Sequence, residues 1–217
     1  MVPVSPLRVT ISAHDPSARR RTPVQARSRA TVDRICVSAA EILDESGWEA
    51  FNTNAVASRA GVSITAIYSY FPDKYAIVNE IFQRMSDRRM VVMAPYIKAL
   101  ETDDLEETMF TGLKQVAQLR IDEPAGLVMR AIYQAVPELH SADRDDDHRV
   151  SDQLAAVFQV RNPRLPERDA KVLAFNVVIA LTSAVDYSVH GGQRNDALLK
   201  AQIHMAVLYI NETLAAY

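Results

Sequence analysis

Residues 52–74, NTNAVASRAGVSITAIYSYFPDK, constrain the fold more than any other part of this sequence. Gly61 can adopt the left-handed backbone that a short turn between two helices requires. The small side chain of Ala57 lets those helices approach closely. Thr53 and Ser63 carry hydroxyls that can cap the amino termini of the two helices. The pattern predicts a helix-turn-helix motif.

The second helix of this motif divides its residues between two faces. Ile67 and Phe71 are four residues apart and are expected to point inward, toward the preceding helices. A short structural helix would rarely expose the remaining side chains to water, which are Ile64, Thr65, Ala66, Tyr68, Ser69 and Tyr70. A DNA major groove offers them thymine methyls, base-edge acceptors and phosphates. We therefore expect a DNA-recognition helix, with ordinary core packing of the tyrosines as the alternative.

The run ASRAGVSITAIYSYFPDK resembles the signature of the TetR family of repressors, in which AGVS precedes a recognition helix ending in YxYFxxK. The resemblance covers the first helix through about residue 85, and the rest matches only as a pattern of helices. It implies that base edges are contacted by Ile64, Thr65, Ala66 and Ser69. It implies that phosphates are held by Thr53, Ser63, Tyr68, Tyr70 and Lys74. Hydroxyls at helix amino termini are typical backbone contacts.

Most of the remaining sequence is also predicted to be helical. Apolar residues recur at i, i+3 and i+4, and useful period-2 stretches are absent, so the expected fold is all-α with about nine helices. Besides two short helices in the motif, the predicted helices cover residues 29–46, 73–92, 103–122, 124–136, 142–160, 167–190 and 195–216. Gly47 is expected to end the first of them. Pro95 is expected to interrupt the long fourth helix, and Pro124 to lie in the first turn of the sixth.

Charge and composition divide the chain into three parts. Residues 1–26 hold four prolines and little apolar periodicity, which predicts a flexible basic arm that either contacts DNA or remains a solvated tail. Residues 27–74 are the expected helix-turn-helix domain, and residues 75–217 the helical effector-binding and dimerisation domain. Residues 1–90 carry twelve Lys and Arg against nine Asp and Glu, and residues 91–217 carry twelve against eighteen. The formal net charge of −3 therefore conceals a basic part suited to phosphates.

The last two helices predict a subunit interface. Residues 172–185 are apolar around the whole helix circumference, which is typical of a helix that is buried on all sides. Because TetR-like proteins pair their final two helices, the resemblance implies a homodimer. Two-fold symmetry would present two recognition helices to one double-stranded operator, about 34 to 36 Å apart.

The middle helices contain candidates for a small-molecule effector site. Methionines and tyrosines suit an adaptable apolar pocket, and they suit an ordinary core equally well. The candidate effector-binding residues are Met93, Tyr96, Met109, Met129, Tyr133 and Tyr187. The long fourth helix connects the recognition helix to this region. A ligand that shifts the far end of this helix would move the recognition helices and release DNA.

Other functional classes receive little support from the sequence. The segment SADRDDDHR has metal-ligating side chains but lacks the glycine and terminal glutamate of a calcium loop, so a solvated helix start is expected. Cys36 is the only cysteine and is expected to be buried. Asp186 and His190 are expected to form a helix-end pair, or else to contact an effector or a partner. No metal, cofactor or catalytic motif is predicted.

Apolar runs long enough to cross a bilayer are absent, so a cytoplasmic regulator without membrane partners is expected. The alternative is a constitutive DNA-binding regulator, or a helical partner-binding protein, that senses no effector. A ligand that releases DNA would separate these interpretations.

Overall fold

A computed structural model describes residues 26–217, which form helices and one very short hairpin. The helices are α1 (Ala26–Ala50), α2 (Thr53–Ala60), α3 (Ile64–Tyr70), α4 (Lys74–Ala99), α5 (Leu105–Asp122), α6 (Met129–Ala135), α7 (His140–Arg161), α8 (Glu167–Ser188) and α9 (Asp196–Ala215). A single 3-10 turn, Pro137–Leu139, precedes α7. The all-α prediction is confirmed. The predicted basic arm, apart from Ala26, lies outside the described residues.

The first three helices enclose an apolar core. Ile35 of α1, Val56 of α2, and Ile67 and Phe71 around α3 are all fully buried. Gly47 has φ 70° and leaves helical geometry inside α1, close to the predicted end of that helix. Such positive φ values favour glycine because it has no Cβ. The burial of Ile67 and Phe71 confirms the predicted inward face of the recognition helix.

The long helix α4 links this core to the rest of the molecule and corrects one expectation. Its first turns bury Ile77, Val78 and Ile81 against the amino-terminal core. Pro95 was expected to interrupt it, but the helix continues to Ala99. Proline already has a helical φ, and Pro95 is exposed, so the carbonyl that loses its hydrogen bond can be hydrated.

The turn between α5 and α6 corrects a second expectation. Pro124 does not begin a helix, because Ala125 takes a left-handed φ of 63° and α6 starts only at Met129. The backbone packs tightly there, since a Cβ added to Gly126 would lie 2.2 Å from the Arg120 carbonyl oxygen. The turn is tied to α1 by a hydrogen bond of 3.1 Å from the Ala125 N–H to Asp44 Oδ1.

The second core lies among α5, α7, α8 and α9 and contains Leu173, Val177 and Leu181. The helix α8 is long and apolar enough to cross a membrane by length and composition alone, yet here it packs between other helices. It is not buried on all sides as expected, because Val172 and Ile179 are exposed in the single chain.

The connection between α8 and α9 is a β-hairpin, where the sequence predicted that the helix would reach residue 190. Strand β1 (Val189–His190) pairs antiparallel with β2 (Gln193–Arg194). Gly191 and Gly192 form the turn with φ values of 56° and 73°. Two consecutive left-handed residues match the hairpin turn that keeps strand twist.

Candidate nucleic-acid interface and effector cavity

The turn of the helix-turn-helix has the predicted geometry. Gly61 adopts φ 62° and ψ 39°, in the left-handed region. The Gly61 N–H bonds to the Ser58 carbonyl at 3.3 Å, and the Val62 N–H bonds to the Ala57 carbonyl at 3.1 Å. These two bonds satisfy the last carbonyls of α2. The prediction that Gly61 forms the turn is confirmed.

The amino-terminal cap of α3 is the residue that the sequence predicted, whereas the cap of α2 is a different residue. Ser63 Oγ accepts the Ala66 N–H at 3.1 Å, as expected for the cap of α3. Thr53 was expected to cap α2, but Asn52 Oδ1 accepts the Ala55 N–H at 2.9 Å. Both residue types cap well, so their order could not be decided from propensity. Sequence reasoning therefore missed Asn52.

Thr53 instead contacts the recognition helix. Its hydroxyl lies 3.2 Å from the hydroxyl of Tyr68, which is 43% exposed. This contact places the Tyr68 ring beside the amino terminus of α2. Ser69 is half-buried, and its hydroxyl donates to the Ala66 carbonyl at 2.8 Å.

The outer face of α3 is less uniform than the sequence suggested. Thr65 is exposed, whereas Ile64 and Tyr70 are partly buried and pack against the amino-terminal core. Ile64 and Tyr70 thus combine a packing role with a position near the outer face. The alternative interpretation, in which tyrosine packs in the core, applies in part to Tyr70.

Lys74 is the first residue of α4 and lies just beyond the recognition helix. Its ammonium group is 4.0 Å from the ring centroid of Trp48, and the Trp48 ring in turn stacks on Phe51 at 5.7 Å. A cation over an indole face is held by the ring quadrupole. Trp48 therefore positions Lys74, a role that the sequence analysis did not assign.

A cavity of about 150 Å³ lies among α4, α5, α6, α7 and α8. Most of its wall is apolar, with Phe82, Leu113 and Val178 among the lining residues. Five of the chain's seven methionines also contribute, namely Met85, Met90, Met93, Met109 and Met129. Helix α4 therefore reaches from the recognition helix to the wall of this cavity.

The structure divides the candidate effector residues into two groups. Met93, Met109 and Met129 line the cavity. Tyr96 packs on α5, where a Cβ added to Gly112 would lie 2.9 Å from Tyr96 Cγ.

The other two tyrosines are also not among the residues that line the cavity. Tyr133 is fully buried, donates to Asn79 Oδ1 at 2.5 Å and stacks on Phe82 at 4.2 Å. Tyr187 is 79% exposed on α8. A residue type common to pockets and cores could not show which role each tyrosine takes.

A charge network centred on buried Asp146 lines part of the cavity and joins α4 to α7. Asp146 accepts hydrogen bonds from Ser86, Arg89 and Arg149, the last at 2.8 Å. Burial acts to raise the pKa of the Asp146 carboxyl, but the Arg89 charge and the hydrogen bonds from Ser86 and Arg149 outweigh it, so the pKa lies below its ordinary value. The solvated helix start expected at SADRDDDHR is therefore wrong for Asp146.

A second set of ion pairs involves other residues of the cavity wall. Asp186 of α8 pairs with Arg120 of α5, and lies 3.0 Å from Nε of Arg130 on α6. Arg130 is also 3.9 Å from Asp147. Asp186 thus contacts the neighbouring helices α5 and α6. Within residues 26–217 as described, no group of three His, Cys, Asp or Glu side chains could hold a metal ion.

A helix-turn-helix domain joined by one long helix to a helical domain with an internal cavity defines a DNA-binding transcription regulator. Two family models match the chain, and together they span more than half of it. The model "Bacterial regulatory proteins, tetR family" matches residues 35–81, and "Tetracyclin repressor-like, C-terminal domain" matches residues 104–209. The chain belongs to the TetR family. Members of this family are DNA-binding regulators and not enzymes.

Solved structures share the fold at low sequence identity. A putative TetR-family regulator from Mesorhizobium loti MAFF303099 has a TM-score of 0.64 at 19% identity, over 89% of this chain and 99% of that one. A transcriptional regulator from Aquifex aeolicus VF5 has a TM-score of 0.59 at 16% identity, over 82% and 98%. RolR in complex with resorcinol has a TM-score of 0.52 at 16% identity, over 86% and 94%. Among curated proteins, none matches the chain.

Proposed function

We propose that this chain is a cytoplasmic repressor that binds operator DNA as a homodimer and is released by a small molecule in the cavity. Helix α4 carries the proposal. It begins at Lys74, directly after the recognition helix, and its later turns contribute Met85, Met90 and Met93 to the cavity wall. A ligand that displaces this wall acts on the same rigid element that positions the recognition helix.

The residues proposed to contact DNA follow the outer side of α3 and its flanks. The proposed base-edge contacts are Thr65, which is exposed, and Ile64, Ala66 and Ser69, which are partly buried. Aliphatic side chains there favour thymine methyls and groove shape over paired hydrogen bonds. The proposed phosphate contacts are Thr53, Ser63, Tyr68, Tyr70 and Lys74.

Exposed apolar side chains on α8 and α9 support a homodimer. Val172, Ile179 and Tyr187 are spaced by seven and eight residues, which puts them on one face of α8. On α9 the exposed apolar side chains are Met205, Leu208 and Tyr209. The two helices pack side by side, so a second copy of this face would cover both sets. The proposed release by a small molecule draws further support from the resorcinol complex of RolR, which shares the fold.

The dimer is tested by sedimentation equilibrium at micromolar concentration. We expect a mass of two chains of 24.2 kDa each. Ile179→Glu should produce a monomer because it buries a charge in the interface. Val37→Glu is the matched control, since Val37 is 56% exposed on α1, away from that face. A wild-type monomer would overturn the dimer.

DNA recognition is tested by selecting binding sequences from a random duplex pool and measuring variants at fixed salt. Tyr68→Phe and Lys74→Ala should weaken binding to all sequences about equally, and Lys74→Ala should reduce the salt slope by about one. Thr65→Ala should relax the preference at one base pair. An unchanged preference would remove Thr65 from the base-reading residues.

Release is tested by screening small molecules with thermal shift and then measuring operator affinity. A ligand that binds the cavity should lower DNA affinity by a coupling of about 1 to 3 kcal/mol. If ligands bind and DNA affinity does not change, the constitutive regulator is the correct alternative.

A further inference from the structure

The cavity wall indicates which chemical class of ligand it accepts. We propose that the effector is an uncharged, compact molecule about the size of one six-membered ring, with an apolar body and a hydroxyl-like group that meets Thr182. This inference rests on the proposed function for the role of the cavity. It adds the size, the charge and the polar contact of the occupant.

The size follows from the cavity volume. The cavity holds about 150 Å³ and is lined by bulky apolar side chains such as Phe82, Leu154 and Leu181. An apolar cavity of about this volume accommodates a molecule such as benzene. A long acyl chain or a multi-ring molecule exceeds this space unless helices move apart.

The preference for a ring follows from the methionines. Five methionine side chains reach the cavity from α4, α5 and α6. Thioethers are polarisable, conform to irregular shapes and make favourable contacts with aromatic rings. A flat apolar body can therefore contact sulfur from several directions.

The charge follows from how the ionised side chains of the wall are paired. The wall contains three cations and three anions, which are Arg89, Arg120, Arg130, Glu123, Asp146 and Asp147. Each has an opposite charge within ion-pair distance, including Arg88 at Glu123 and Asp186 at Arg120. A charged ligand would lose its hydration without finding an excess of opposite charge. A neutral ligand leaves these pairs intact.

The polar contact follows from Thr182. This residue lines the cavity from α8, between the apolar Val178 and Val185. Among the residues that the structure describes, none forms a hydrogen bond with its hydroxyl. A hydroxyl can both donate and accept, so a single hydroxyl on the ligand can pair with it.

The test uses protein with ¹³C-labelled methionine methyl groups, because methionines lie both inside and outside the cavity. Three single-ring probes are titrated at pH 7: neutral phenol, anionic benzoate and cationic benzylammonium. Phenol should shift the signals of the cavity methionines and leave Met205, which lies on α9 outside the cavity, unchanged. We expect phenol to bind about tenfold or more tightly than either ion.

The Thr182 contact is tested with Thr182→Val, which keeps the shape of the side chain and removes the hydroxyl. The affinity for phenol should fall about fivefold, the usual effect of one neutral hydrogen bond, while the affinity for toluene stays the same. Equal changes for both probes, or none for phenol, would overturn this contact.

Operator affinity measured on the same samples separates the two proposals. If either ion saturates the cavity signals at lower concentration than phenol, the neutral class is overturned, whereas DNA release by that ion would keep the proposed function. If phenol fills the cavity without lowering operator affinity, the ligand class holds and release is overturned. If millimolar probes shift no cavity methionine, the inferred size class is overturned.

Discussion

The reading head, formed by α1 to α3, and the region around the cavity are built by different rules. In the head, Ile67 and Phe71 are fully buried and the helix caps are made by residues within three positions of their partners. Around the cavity, buried Asp146 accepts a hydrogen bond from Ser86, which is 60 residues away in sequence. A cavity of about 150 Å³ remains beside it. Close packing resists deformation, whereas a void beside interdependent charges permits rearrangement. The head is therefore suited to fixed recognition and the cavity region to change.

The largest expected loss of stability comes from creating a cavity in the core of the head. Ile67→Ala removes a side chain that has no accessible surface, and it should lower the free energy of unfolding by about 3 to 4 kcal/mol. Urea unfolding at fixed protein concentration measures the change. Specific DNA binding should weaken as well, because Ile67 anchors the recognition helix.

Thr65→Ala is the matched control on the same helix, since Thr65 is exposed. It should change stability by less than about 0.5 kcal/mol. If the two variants destabilise equally, the head does not depend on its closed core as described.

Breaking the charge network at the cavity should have the next largest effect on stability. Asp146→Asn removes the anion that neutralises Arg89 and Arg149, and should cost about 2 kcal/mol because both partners keep some access to water. Asp145→Asn, one residue earlier and exposed, is the control and should have little effect. Equal stability of the two variants would contradict a structural role for the network.

The pH dependence of the stability difference between wild type and Asp146→Asn tests whether Asp146 is the group responsible for it. The pKa of Asp146 is lowered in the folded state from an ordinary value of 3.8, so its pairing stabilises the fold above that value. This stabilisation is lost as the pH falls through the lowered pKa. The stability difference between wild type and Asp146→Asn should be full at neutral pH and shrink only below pH 3.8. Shrinkage between neutral pH and pH 5 would point to another group.

The smallest expected effect concerns the contact between the two regions. Asp44→Ala removes the hydrogen bond to the Ala125 N–H, in the turn that carries Gly126 of the cavity wall. Ligand and DNA should each still bind, but the ligand should release DNA about threefold less effectively.

Glu45→Ala provides the control for that measurement. Glu45 follows Asp44 on α1 and pairs with Arg59 at 2.6 Å within the head. Its loss leaves the turn at Ala125 untouched. If both variants reduce release equally, the Asp44 contact does not transmit the effect of the ligand.

The same contrast explains what the sequence could predict. Gly61, Ser63 and Ile67 follow local rules of turns, caps and periodicity, and the structure confirms each of them. The predicted start of α6 was wrong because the left-handed Ala125 is stabilised by Asp44, a residue 81 positions away. Local propensity contains no information about such a partner.

Burial of charge was equally hard to predict. Asp146 sits in an acidic run that is typical of solvated helices, and only the packing of α4 against α7 shows that it meets Arg89. Methionine and tyrosine candidates showed the same limit, because their residue types suit pockets and cores alike. Three methionines reached the cavity and three tyrosines did not.

The contact between Lys74 and Trp48 gives the protein a native optical reporter. Trp48 is the only tryptophan in the chain, so its fluorescence comes from a single site. The Lys74 ammonium lies 4.0 Å from its ring, and this same group is proposed to contact a DNA phosphate. Binding of DNA at Lys74 would then change the emission of Trp48 without any added dye.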